Sequence, residues 1–252
     1  MLRLIATLLI VALSATAEPL PHVPPLIPAP DFKLMGPQEA RGALVWLHGA
    51  YDLAQFPTAP PVQDWAARLA RRGYDFWRLN RIPRQDSIAE GQEKLRVGLI
   101  GLRAAGYRRV IVAGFSRGGF IGLTALAHSE LLDAVAAISP AAHGSRPERR
   151  PEALAAFAAI MDRAQRSRVA LVQLNDDPLD PDPEVRASMA QAMAGRTGSV
   201  LLEIFRPTIP RGHMGSDEPA FDALFGACLA DFLDGIAGPD ACGPSSPYPT
   251  QQ

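Results

Sequence analysis

Short apolar runs alternate with longer amphipathic runs along most of the chain, and this alternation restricts the folds open to it. The runs at 43–47, 74–79, 110–115, 134–138, 169–174 and 200–205 have the length and composition of buried strands. Helical periodicity predicts helices at 62–72, 87–105, 118–128, 151–165, 183–193 and 221–236. Strands joined by such helices need crossover connections, so we expect a single α/β domain with a mostly parallel sheet and helices on both faces.

Both ends of the chain differ in composition from this alternating body. Residues 1–17 combine an early arginine, a ten-residue apolar run and a small-x-small tripeptide, which is the pattern of a cleavable secretory signal. The apolar run is about half as long as the roughly 20 residues of a membrane-spanning helix, so we expect no stable membrane anchor. Prolines in 18–31 predict an extended leader, and the Gly, Pro and Ser content of 238–252 predicts a flexible tail. The expected folded domain is therefore 32–237, in a periplasmic or secreted protein.

The charge balance and the cysteines narrow the possible partners. With 25 Lys and Arg against 26 Asp and Glu, the chain has no basic field for nucleic acid. Cys228 lies in the last predicted helix and Cys242 in the tail, so a disulfide could form after export and hold the tail on that helix. Two cysteines without a neighbouring histidine make no zinc site, and we expect neither a metal nor a cofactor. Charge and composition leave the oligomeric state undetermined.

The motif Gly114-Phe115-Ser116-Arg117-Gly118 joins a predicted strand to a predicted helix. A G-x-S-x-G sequence at such a junction forms a nucleophile elbow, a turn so tight that side chains at the two glycines would collide with backbone. The turn exposes Ser116 at a helix N-terminus, where backbone N–H groups favour a developing oxyanion. Glycine-rich turns also serve as purely structural corners or bind phosphate. The flanking strand and helix favour a nucleophilic serine.

With this motif in this setting, the chain resembles the α/β-hydrolase family over about residues 40–237. Leu47-His48-Gly49 at the end of the first strong strand matches the His-Gly segment of that family. The resemblance implies that the backbone N–H groups of Ala50 and Arg117 form the oxyanion hole. We expect His48 to brace this loop rather than to act as the base.

The resemblance also implies a catalytic acid and base in the chain order Ser, acid, His. His213 fits the base because it lies in a glycine-containing loop between the last predicted strand and the last predicted helix. The acid should follow the strand at 169–174, where three aspartates occur within five residues. Asp177 matches the family spacing to a proline best, while Asp180 and Asp176 remain alternatives. The two aspartates that are not the acid are expected to be solvated turn residues.

The loops around the predicted site limit its substrates. Residues 139–168 leave no room for a large lid, which favours modest, hydrophilic substrates over long acyl chains. Arg78, Arg81 and Arg84 follow a strand at the ligand-binding edge of the sheet, yet we expect a solvated basic loop there. Tyr51 and Phe56 are candidates for pocket walls. Together with the resemblance, these features predict an exported serine hydrolase that cleaves carboxylic esters, with small amides or peptides as a variant, by a Ser-His-Asp acyl-enzyme mechanism. The alternative is a catalytically idle binding module of the same fold.

Overall fold

The computed structural model of the protein describes residues 20–51, 60–81, 87–143, 146–180 and 182–243. In these ranges the strands are β1 (Leu26–Pro28), β2 (Gly42–Leu47), β3 (Tyr74–Leu79), β4 (Val110–Phe115), β5 (Ala134–Ile138), β6 (Arg168–Gln173) and β7 (Val200–Phe205). They form one seven-stranded sheet in the order β1-β3-β2-β4-β5-β6-β7. All neighbouring strands are parallel except β1, which pairs antiparallel with β3. The six predicted strands and the mostly parallel α/β fold are confirmed.

The helices fall near their predicted positions but differ in length. They are α1 (Asp64–Ala67), α2 (Ile88–Ala104), α3 (Arg117–Thr124), α4 (Arg150–Arg163) and α5 (Pro183–Thr197). The last helical region consists of Pro219–Phe221, a π-helical stretch Asp222–Gly226 and Ala227–Leu233, together called α6. The predictions at 62–72 and 118–128 were too long, because the chain tightens into 3₁₀ turns at Ala70–Arg72 and Ala125–Leu131. No helix in the described ranges is both long and apolar enough to span a membrane.

Two apolar layers lie on opposite faces of the sheet. On one face, Val45 and Leu47 of β2 pack with Leu99 of α2. On the other, Trp46 packs in the same cluster as Trp65 of α1 and residues of α6. Successive residues of β2 point to opposite faces and all of them are buried, so this strand is covered on both faces. This arrangement places the ends of the parallel strands, and the loops that follow them, at one edge of the sheet.

The predicted leader is part of the folded domain from at least Val23, which corrects the expected start at 32. Val23 and Leu26 are each 3% exposed, and Leu26–Pro28 forms the edge strand β1. They pack so closely on α2 that a Cβ at Gly98 would lie 2.7 Å from Leu26 Cγ. Proline is tolerated here because β1 is an edge strand. The predicted signal peptide at 1–17 lies outside the described residues.

The start of the C-terminal tail is also attached to the domain. Cys228 of α6 and Cys242 form the disulfide that the sequence left open. Ala241 and Cys242 pack against the apolar layer that contains Trp46. The tail is therefore held at its beginning, and 244–252 lie outside the described residues.

Candidate active site

Ser116 occupies the tight turn between β4 and α3 in a conformation that few non-glycine residues adopt. Its φ is 54° and its ψ is −123°. The turn is closed so tightly that a Cβ at Gly114 would lie 2.6 Å from the backbone carbon of Gly118. A Cβ at Gly118 would overlap the carbonyl oxygens of Leu47 and His48. Glycine is thus required at both positions, because the backbone comes too close to leave room for a side chain, as the motif predicts.

His213 reaches Ser116 from the loop that follows β7. Its Nε2 lies 2.8 Å from Ser116 Oγ. Its ring packs against Phe115, with 4.9 Å between the ring centroids, and its side chain is 13% exposed. The loop after β7 is joined to the loop that follows β6, called the β6 loop, by a hydrogen bond of 2.7 Å from the Gly212 N–H to the Asn175 carbonyl. The imidazole is therefore held between the serine and the β6 loop.

Asp177 is the aspartate that the structure brings to His213. Its two carboxylate oxygens lie 3.0 and 2.9 Å from His213 Nδ1, and its side chain is 1% exposed. One of these oxygens also accepts a hydrogen bond from the Leu179 N–H. A buried carboxylate at Nδ1 favours the tautomer that leaves Nε2 free to accept the serine proton. Ser116, His213 and Asp177 thus form one continuous hydrogen-bonded chain.

The other two aspartates of the β6 loop have different surroundings. The Asp176 side chain is 62% exposed and lies 3.3 Å from Arg211. Asp180 is buried, accepts a hydrogen bond from Gln173 and lies 3.2 Å from the buried Arg186. Burial raises the pKa of Asp180, and the neighbouring Arg186 opposes this shift. The expectation of a solvated turn residue was therefore wrong for Asp180, because a buried arginine and a buried glutamine side chain surround its carboxylate.

A buried glutamine also supports the loop that carries His213. Gln63, just before α1, donates hydrogen bonds to Ser216 Oγ and Asp217 Oδ1. Its own carbonyl oxygen accepts from the Trp65 indole at 2.7 Å. Gln63 could not be singled out from the sequence, because nothing in its local pattern indicates partners about 150 residues away.

The loop after β2 lies directly beside the serine. A Cβ at Gly49 would be 3.3 Å from Ser116 Cβ and 3.0 Å from the Phe115 ring. Ala50 follows in this loop, and Arg117 is the first residue of α3, where N–H groups have no acceptor within their own helix. This placement suits the two residues predicted to form the oxyanion hole, and their role stays a prediction.

His48, the first residue after β2, is buried and is a poor candidate for a base. Its Nδ1 lies 2.7 Å from the Gly49 carbonyl oxygen and 2.9 Å from the Arg81 guanidinium, so it has a partner in either tautomer. Its ring packs edge-on against Tyr51. Burial, followed by the charge of Arg81, lowers the pKa of His48 to about 3. The imidazole is therefore neutral at ordinary pH and braces the loop.

Two of the three arginines predicted to lie in a solvated basic loop, Arg78 in β3 and Arg81 just after it, are buried, so that prediction was wrong for them. Arg78 donates to the Pro60 carbonyl, and Arg81, 5% exposed, donates to the carbonyl oxygens of His48 and Gly49. Arg84 and the candidate wall residue Phe56 lie outside the described residues. In the described ranges, no three His, Cys, Asp or Glu side chains form a group that could hold a metal ion.

Comparisons with known proteins identify the fold. No family model and no curated protein sequence matches the chain. Its structure is similar to an esterase from Pyrococcus furiosus, with a TM-score of 0.57 at 14% identity over 79% of this chain and 84% of that one. It is also similar to a puromycin-hydrolyzing peptidase from Mycobacterium tuberculosis, with a TM-score of 0.57 at 16% identity. An acylaminoacyl peptidase from Pyrococcus horikoshii gives a TM-score of 0.58 at 14% identity.

These similarities define the class of architecture. The chain covers 38% of each peptidase, with 84% and 83% of its own length aligned, so it corresponds to one part of those larger proteins. It has the α/β-hydrolase fold, as the sequence predicted.

Proposed function

We propose that this protein is an exported serine hydrolase that cleaves carboxylic esters, or small amides and peptides, through an acyl-enzyme. The observation that carries the proposal is the hydrogen-bonded chain from Asp177 through His213 to Ser116 at the strand-to-helix turn. These three side chains are the acid, base and nucleophile of an acyl-transfer mechanism.

In the first half of the reaction, His213 Nε2 takes the Ser116 hydroxyl proton as Oγ attacks the carbonyl carbon of the substrate. The resulting oxyanion accepts hydrogen bonds from the N–H groups of Ala50 and Arg117. The protonated imidazole then gives its proton to the leaving alcohol or amine, and the bond to the leaving group breaks. Asp177 stabilises the imidazolium throughout without taking its proton.

In the second half, His213 removes a proton from water as the water oxygen attacks the acyl carbon on Ser116. Collapse of the second tetrahedral intermediate releases the carboxylic acid, and Ser116 Oγ recovers a proton from His213. No other group is needed to balance the reaction, since both protons pass through one imidazole.

The loops near the serine support small substrates. Between β5 and β6, the described residues form a 3₁₀ turn and the single helix α4, which leaves no multi-helix lid in that connection. Relatives in structure include one esterase and two peptidases by name, so amides remain a second substrate class. Short acyl esters are the first substrates to test.

Two features support export to the periplasm or out of the cell. The signal-like pattern at 1–17 is the first. The second is the disulfide between Cys228 and Cys242, because such bonds persist in oxidising compartments and are rare in the cytosol.

Kinetics with para-nitrophenyl acetate and butyrate test the catalytic assignment. Ser116→Ala and His213→Ala should each lower kcat by several orders of magnitude, and Asp177→Asn by about 10⁴-fold, since it disturbs the histidine tautomer. Asp176→Asn is the matched control: it changes a neighbouring, exposed carboxylate in the same loop and should keep kcat within about threefold. A Ser116→Ala enzyme with full activity would refute the mechanism, and equal losses in the two aspartate variants would refute the choice of Asp177.

A further inference from the structure

Arg81 holds the peptide unit that precedes Ala50. It lies just after β3 and is 5% exposed, with its guanidinium turned toward the loop after β2. One terminal nitrogen donates to the carbonyl oxygen of His48 and, at 3.3 Å, to that of Gly49. The Gly49 oxygen also lies 2.7 Å from His48 Nδ1. Two successive carbonyl groups of this loop are therefore bound to one buried cation.

The geometry of the peptide unit links this contact to the reaction site. The Gly49 C=O and the Ala50 N–H belong to one planar trans peptide, so they point in opposite directions. Fixing the carbonyl oxygen therefore fixes the direction of the N–H. Gly49 lies against Ser116, since a Cβ added to Gly49 would be only 3.3 Å from Ser116 Cβ. A rotation of this peptide would therefore redirect the Ala50 N–H in a loop that lies against the nucleophile.

We propose that Arg81 is a positioning residue for catalysis, which holds and polarises the Gly49–Ala50 peptide so that the Ala50 N–H stabilises the oxyanion. This inference rests on the proposed function. A cation bound to the carbonyl oxygen draws electron density from the peptide and makes its N–H a stronger donor. The effect is largest in the transition state, because the negative charge on the substrate oxygen appears only there. Arg81 itself does not touch the reacting atoms in this scheme.

The chain provides a matched control in Arg168 at the start of β6. Like Arg81, it is an arginine with limited exposure that donates to two backbone carbonyls, those of Phe232 and Ala237. It lies at the opposite end of the parallel strands from Ser116. Arg168→Met should therefore lower the free energy of unfolding, because two backbone carbonyls lose their donor, and should leave kcat and KM unchanged.

The test measures ester hydrolysis and inhibitor affinity in the full-length wild type, Arg81→Met, Arg81→Lys and Arg168→Met. Removing an oxyanion donor outright costs about 100- to 1000-fold in kcat, so losing its support in Arg81→Met should cost on the order of 10- to 100-fold, with KM within about threefold. Arg81→Lys keeps the charge and one carbonyl contact, so its kcat should be intermediate. Rates are normalised to folded protein, determined by circular dichroism.

Phenylboronic acid supplies a second readout that a purely structural role would not change. It adds to the serine hydroxyl as a tetrahedral anion that resembles the transition state, so its affinity should fall across the Arg81 series in parallel with kcat/KM. If Arg81→Met does not fold, Arg81→Lys carries the same comparison. Folded Arg81 variants with wild-type kcat and boronate affinity would overturn this inference alone. An inactive wild type would overturn the proposed function, and this inference with it.

Discussion

The buried, neutral state of His48 has a measurable consequence for stability at mildly acidic pH. The pKa of this imidazole is lowered to about 3 in the folded protein by burial and by Arg81, whereas an unfolded histidine titrates near 6.5. Between these two pKa values, the unfolded chain therefore binds a proton at His48 that the folded protein does not bind. The stabilisation from neutral His48 is complete above about pH 6.5 and is lost progressively as the pH falls toward about 3. At pH 5, about 1.5 pH units below the unfolded pKa, the loss is about 2 kcal/mol.

The substitution His48→Asn isolates this contribution. Asparagine places a polar atom near the Nδ1 position and does not titrate, so it keeps a contact to the Gly49 carbonyl without the proton linkage. Guanidinium-induced unfolding at pH 7.5 and pH 5 gives the free energy of unfolding of each protein. Between these pH values, the wild type should lose about 2 kcal/mol more than the variant. Equal losses would show that His48 is not buried in a neutral form, and the reasoning about this loop would fail.

Three further predictions concern the elbow, a control glycine in α5 and the disulfide. Gly118→Ala should abolish activity and lower the free energy of unfolding by more than about 3 kcal/mol, because its Cβ would overlap backbone oxygens. Gly195→Ala, where nothing lies within 4 Å of the added Cβ, should instead stabilise its helix by about 0.5–1 kcal/mol. Replacing Cys228 and Cys242 together by serine opens a loop with a sequence separation of 14 and should cost about 3 kcal/mol. Chemical denaturation measures the free energy of unfolding of all three variants. An unchanged midpoint in Gly118→Ala would contradict the close backbone contact at the elbow, and an unchanged midpoint in the double cysteine variant would contradict the disulfide.

The strands and the nucleophile turn could be predicted because their signals are local. Each core strand is a short apolar run, and burial on both faces makes that run continuous. The elbow depends on glycines within five residues, so the close backbone contacts at Gly114 and Gly118 follow from the motif itself. Helix ends were less accurate, since the 3₁₀ turn at Ala125–Leu131 continues the same apolar pattern as α3.

The remaining features depend on partners outside the local sequence pattern. Asp180 lies in the interior beside Gln173, which donates a hydrogen bond to it, and beside the opposite charge of Arg186. Arg81 is buried where the loop after β2 presents carbonyl oxygens to it. From sequence, a charged residue in a loop is expected to be exposed, and no local pattern reveals such a partner. The edge strand β1 was not predicted for a related reason. Its proline-rich sequence is tolerated in a strand only where one strand edge is unpaired, and the local sequence does not show that β1 lies at the edge of the sheet.

The most direct test of the proposed mechanism is labelling of the purified protein with a fluorophosphonate, followed by peptide mass mapping. An activated serine attacks the phosphorus atom and displaces fluoride, so we expect one adduct, on Ser116, in the wild type. The adduct should be absent in Ser116→Ala and strongly reduced in His213→Ala. The absence of any adduct on folded wild-type protein would contradict the account and favour a binding module with an inactive elbow.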